Sequence, residues 1–119
     1  MILESGSKLL VVHRRLYRED EARFFVGTVE KHEDGLASVR GYTWIKDSLA
    51  GDYYRKEDVR TKIISLVSGT YFLYLLPGEA DLSRIRIEAV DHKVLITDGQ
   101  ALFMDLTEYE FHRSKRAEK

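Results

Sequence analysis

Six consecutive residues, Tyr71-Phe72-Leu73-Tyr74-Leu75-Leu76, are apolar on both faces of any strand they form. Successive strand side chains point to opposite sides of a sheet. A sheet with one wet face should alternate apolar with polar residues. Something must therefore cover this segment twice. It lies in an uncharged stretch from Ile63 to Gly78 that carries the turn dipeptide Ser68-Gly69 in its middle. A membrane-spanning helix needs about 20 apolar residues, more than this stretch has. The stretch reads as a buried β-hairpin with arms at about Arg60–Val67 and Thr70–Leu76. Three things could cover the second face: the loop after the third strand, a small helix, or a second copy of the chain. Exposed apolar patches mark interaction sites, so Tyr71, Phe72, Leu73, Tyr74 and Leu76 are the expected interface of a homodimer.

The rest of the chain repeats the β pattern. Short segments rich in Val, Ile, Leu, Tyr and Phe are separated by turn signals, with Pro77 the single proline. Strands are expected at Lys8–Tyr17, about Arg23–Lys31, Leu36–Ile45, Arg84–Val90, Lys93–Thr97 and from Ala101 towards Phe111. Glu33-Asp34-Gly35 and Asp98-Gly99 are hairpin turns, because Gly accepts the positive φ such turns require. Between Met104/Leu106 and Tyr109/Phe111 the apolar phase slips, which suggests a bulge near Asp105–Thr107. Only Asp52–Arg60 offers a helix, with Asp52 as N-cap. The expected fold is all-β, a single small domain of about eight antiparallel strands joined by hairpins. A closed or partly open barrel, or a curled sandwich, would manage its sheet edges. Residues 1–7 are expected to form a flexible N-terminus, 8–111 the domain and 112–119 a charged tail.

Composition removes several functions. Nineteen basic and 20 acidic residues leave a formal charge of -1, so the chain lacks the cationic excess of a polybasic nucleic-acid binder. With 44% apolar and 11% aromatic residues it is no disordered acidic tail. It has no cysteine, which excludes disulfides, thiolate metal sites and cysteine nucleophiles. The first residues do not read as a secretory signal, and the expected setting is soluble and cytoplasmic.

Motifs of chemistry are missing. His13, His32, His92 and His112 are isolated and form no metal-ligand spacing. No serine sits in a GxSxG elbow, and no GxGxxG or Walker arrangement provides a phosphate cradle. Neither a metal nor another cofactor is expected, and catalysis is disfavoured.

Two segments stand above that background. His13-Arg14-Arg15-Leu16-Tyr17-Arg18 places Arg14, Arg15 and Arg18 together, and arginine forks grip phosphates and carboxylates bidentately. The spacing of Arg14 and Arg18 resembles the arginine motif of cyclic-di-GMP-binding PilZ domains. Ser38 and Gly41 follow, but Leu36 stands where that family has Asp or Asn, so its second motif is not met. The resemblance implies a small β-barrel sensing a nucleotide through its arginines. The second segment holds Tyr42, Trp44, Tyr53, Tyr54, Arg55 and Lys56 around a connection longer than usual. Aromatic residues and arginine are enriched at binding hot spots.

The leading expectation is a non-catalytic interaction module, self-associating, with its partner near the Trp44–Lys56 connection. One alternative is a small-ligand or nucleotide sensor using Arg14, Arg15 and Arg18. Another is a single-stranded nucleic-acid-binding barrel. A protein or an anionic small molecule is the favoured partner. Nucleic acid is less favoured, and no membrane is expected.

Overall fold

The computed structural model describes residues 3–13, 23–46, 52–69, 71–91 and 93–106. Among them the chain forms nine strands and one three-residue 3-10 helix, Leu82–Arg84. The first sheet contains β1 (Lys8–His13), β2 (Arg23–Glu33), β3 (Leu36–Lys46), β4 (Tyr53–Arg55), β5 (Arg60–Ser65) and β6 (Tyr71–Leu75). The second contains β7 (Arg86–Val90), β8 (Lys93–Thr97) and β9 (Phe103–Asp105). Every pairing is antiparallel.

The first sheet runs in the order β4-β3-β2-β1-β6, and β5 also pairs with β3. One edge of β3 is thus shared: β5 takes Leu36–Gly41 and β4 takes Trp44–Lys46. The β2–β3 hairpin turns through Asp34 and Gly35, at φ 52 and 77. Two consecutive positive φ values twist the turn in the sense the strands need. The second sheet is a meander in the order β7-β8-β9.

Alternation along the central strands builds two cores. Leu10, Phe24, Val26 and Trp44 face the second sheet, where they meet Ile85, Ile87, Ile96 and Leu102. Leu9, Val11, Phe25, Val29, Ala37 and Val39 face the other way and pack with Ile64 of β5. Tyr71 and Leu73 of β6 join that second core. Since β5 and β6 lie at opposite edges and feed one core, the sheet curls about it, and the two do not pair to close it. Fully burying each large aliphatic side chain contributes about 1.5–3 kcal/mol.

Several expectations are corrected. The arms of the Ser68-Gly69 hairpin are not partners: β5 pairs with β3 and β6 with β1. The dipeptide instead belongs to a segment linking the two edges of the curled sheet. Residues 52–60 hold β4, not a helix. Tyr53 turns inward to Phe24, with ring centroids 5.6 Å apart, while Tyr54 turns the other way, which is the period of a strand. β1 has β2 on one side and β6 on the other, so the last strand does not pair with it over Lys8–His13. Among the described residues the β-bulge falls between Val29 and Lys31. The site expected to bulge extends beyond Leu106, outside the described residues.

Asp98-Gly99 opens a longer loop than a two-residue turn, since Thr97 pairs with Phe103. Asp98 is the reason. Its Oδ1 accepts the N–H groups of Gln100 at 2.8 Å, Ala101 at 2.8 Å and Leu102 at 2.9 Å. Its Oδ2 accepts the Asp81 N–H at 2.9 Å, beside the 3-10 helix. One carboxylate, only 3% exposed, thereby joins two loops. These donors, that of Asp81 first, hold its pKa well below the ordinary 3.8. A depressed carboxylate stabilises the fold above its unfolded pKa, and that contribution fades as pH falls below about 4. Asp98→Asn should therefore lower Tm at pH 7, and the gap to wild type should narrow as pH falls below about 4. A gap independent of pH in thermal melts would contradict this.

Gly27 and Gly41 face each other across β2 and β3. A Cβ on Gly41 would lie inside van der Waals contact of the Val26 carbonyl oxygen and the Gly27 Cα. No flexible side chain is there to yield. Gly41→Ala should cost about 1–3 kcal/mol, read as a lower urea midpoint with an unchanged slope.

Candidate functional site

The residues singled out in the sequence fall on opposite faces of the sheet. Trp44 is 8% exposed and belongs to the core between the two sheets. Tyr53 packs against that same core. Tyr42 and Arg55 occupy the same face outside it, where the Arg55 guanidinium carbon lies 4.3 Å from the Tyr42 ring centroid. Tyr54 is opposite Ile45 and so points to the concave face of the curled sheet, 47% exposed. Lys56 follows two residues later, and its N–H donates to the Thr43 carbonyl at 2.8 Å. Arg14, Arg15 and Arg18 lie outside the described residues.

The expected interface strand, β6 with Leu76 after it, is covered in part by its own chain. Tyr71 and Leu73 pack on one core; Tyr74 and Leu76 belong with the other. Phe72 and Leu75 keep 42% and 52% exposure.

The register assembles a set of cations on the concave face. Lys62 is opposite Val39 and Arg60 opposite Gly41. Lys56 bonds to Thr43, and Arg23 is opposite Ile45 from the β2 side. Val39, Gly41, Thr43 and Ile45 are alternate residues of β3, so all four cations stand along one strip. Arg60 is paired with Asp58 at 2.8 Å. Among the described residues, Arg23, Lys56 and Lys62 have no ion-pair partner.

Lys62 shows the local electrostatics. Its ammonium nitrogen lies 4.8 Å from the centroid of the buried Phe25 ring. Partial burial lowers its pKa, and Arg60, Arg23 and Lys56 add like-charge repulsion. Cations held this close favour an anion among them.

Sequence reading missed Arg23, Arg60 and Lys62. The net charge of +2 over 55–78 is the one available signal. It does not disclose that Arg23, more than 30 positions earlier, shares their face; only strand register does.

A second depression is chemically different. A shallow groove of about 540 Å³ is lined by Lys8, Thr28, Glu79, Asp81 and Ser83 among others. Its cation is already engaged: Lys8 Nζ donates to the carbonyls of Gly78 at 2.7 Å and Ala80 at 2.5 Å. Asp81 Oδ1 accepts from the Ser83 N–H and hydroxyl, capping the 3-10 helix. The described residues contain no group of three or more His, Asp or Glu able to hold a metal. No helix among them is long and apolar enough to cross a membrane.

Compared with known proteins, the chain matches no family model, no curated protein and no solved structure.

Trp44→Ala should cost about 3–5 kcal/mol, the usual penalty for emptying a large aromatic site. Tyr54→Ala, on the exposed side of the next strand, should shift stability by about 0.5 kcal/mol or less. Paired chemical melts test this split: equal losses would contradict the assignment of Trp44 to the core and Tyr54 to the surface.

Proposed function

We propose that the chain is a binding module whose partner is anionic and lies along the concave strip of β3, beside β4 and β5. One observation carries this reading: Arg23, Lys56 and Lys62 share a face and lack carboxylate partners among the described residues. Asp58 is the carboxylate beside Arg60 and Lys56, and it leaves the set net positive, so like-charge repulsion persists in the free state. Bringing in an anion relieves that repulsion and adds charge-assisted hydrogen bonds. The near-zero net charge then limits the attraction to this strip and leaves the rest of the surface indifferent to polyanions.

The reading keeps the expected location near the Trp44–Lys56 connection but changes its chemistry. Tyr54 and Lys56 belong to the strip; Trp44 and Tyr53 support it from the core behind.

Inorganic polyphosphate is a suitable probe, because it carries linear charge and no other recognisable group. It should raise the Tm of wild type at about 0.05 M salt and do so much less at about 0.2 M. Lys62→Glu and Arg23→Glu, both at exposed side chains, should fold normally and lose most of that shift. Each removal of a cation should also reduce the slope of log K against log salt by about one. Polyphosphate that fails to stabilise wild type, or stabilises both variants equally, overturns the proposal.

A further inference from the structure

The four cations are not clustered at a point. Their Cα positions stand at successive rows, opposite β3 positions 39, 41, 43 and 45, and the Lys62 ammonium leans from its row over the Phe25 ring. A strand rises about 3.4 Å per residue, so the anchoring rows are about 7 Å apart and span about 20 Å. A compact anion would engage one or two of these charges. A linear polyanion with one charge per repeat can follow Lys62, Lys56 and Arg23, while Arg60 is held by Asp58.

Aromatic rings accompany the charges. Tyr54 lies beside Ile45, on the far side from Arg23, with 47% of its surface open. At the same end of the sheet, exposed His13 meets Tyr71 edge-on, with centroids 5.3 Å apart and planes at 60°. His13 and Tyr71 are paired residues of β1 and β6 and face the concave side with Val11 and Leu73. Between the charges, β3 presents Gly41, Thr43 and Ile45. Gly41 has no side chain, so the floor of the strip is low at that row.

Resting on the anionic-partner reading, we propose that the strip binds single-stranded nucleic acid, its phosphates following Lys62, Lys56 and Arg23 and a base stacking on Tyr54. A row of cations that tracks a backbone, with an aromatic face open beside it, is the physical requirement for holding a single strand without reading its sequence. A duplex keeps its bases stacked inside and cannot offer one to Tyr54. An acidic peptide supplies charge but no planar ring system to match the open tyrosine.

The test is fluorescence anisotropy with a labelled oligothymidylate of about ten nucleotides. Inorganic polyphosphate, polyglutamate and a DNA duplex of similar charge serve as competitors. Oligothymidylate should bind about tenfold or more tightly than polyphosphate, and better than the duplex or polyglutamate. Tyr54→Ala should weaken oligothymidylate binding about tenfold and leave polyphosphate binding unchanged. Tyr54→Phe, which keeps the ring, should retain wild-type affinity and controls for misfolding. Polyphosphate binding without preference for the oligonucleotide, or with an indifferent Tyr54→Ala, overturns the nucleic-acid assignment and leaves the anionic strip standing. Preference for duplex or polyglutamate overturns it equally. Binding of none of the probes overturns both readings.

Discussion

The structure depends on three strands, β1, β2 and β3, that contribute buried residues to both cores. Leu9 and Leu10 are adjacent in sequence and exposed by 2% and 0%, yet they belong to different cores. The same holds for Phe24 and Phe25. A sheet in this position cannot slip by one residue, because a slip would exchange every side chain between the cores. It must also bring its strands close enough to curl. Gly27 and Gly41 meet that need where they face each other, with no Cβ to hold the backbones apart. The second sheet then closes one face, while β5 and β6 fold over the other from opposite edges.

This arrangement answers the question raised by Tyr71–Leu76. Such a segment demands cover on two sides, and β6 receives part of it from two cores of its own chain, with Phe72 and Leu75 left exposed. The sequence argument identified the requirement and most strand positions correctly, because alternation and turn residues are local signals. It misplaced the neighbours. Ser68-Gly69 looks like a hairpin turn and Gly69 does adopt φ 76, but a positive φ makes a bend, not a strand pairing. The partner of a strand is decided by the burial of Ile64 on β3's side and Leu73 on β1's side, which are non-local terms. Asp98 is a similar case. The Asp-Gly pair suggested a tight turn, whereas the carboxylate's capacity to accept several N–H groups favours a wider loop that also secures Asp81.

The site was legible only in fragments for the same reason. Tyr42, Trp44, Tyr53, Tyr54, Arg55 and Lys56 form one group in sequence, but period-two alternation divides it. Trp44 and Tyr53 became core, Tyr42 and Arg55 a stack on the outer face, and Tyr54 and Lys56 part of the concave strip. The cations that complete the strip come from β2 and β5, and their meeting on β3 is a property of register. Composition had suggested near-neutrality. Neutrality over the whole chain is compatible with strong local imbalance, because Coulomb interactions are screened beyond about 10 Å at ordinary salt.

The two faces are energetically connected. Lys62 stands beside three other cations with its ammonium over the Phe25 ring, and Phe25 packs in one core with Val11, Val29 and Val39. Long cationic side chains commonly bury their methylenes on apolar surface while keeping the charge in water. The core thus supplies a rigid floor, and hydrophobic burial offsets the repulsion among charges arranged above it. Rigidity also reduces the ordering cost of binding, since strand-borne side chains are positioned before a partner arrives. On the anionic-partner proposal, substitutions in the core around Phe25 should be felt as weaker binding even where no charge is altered.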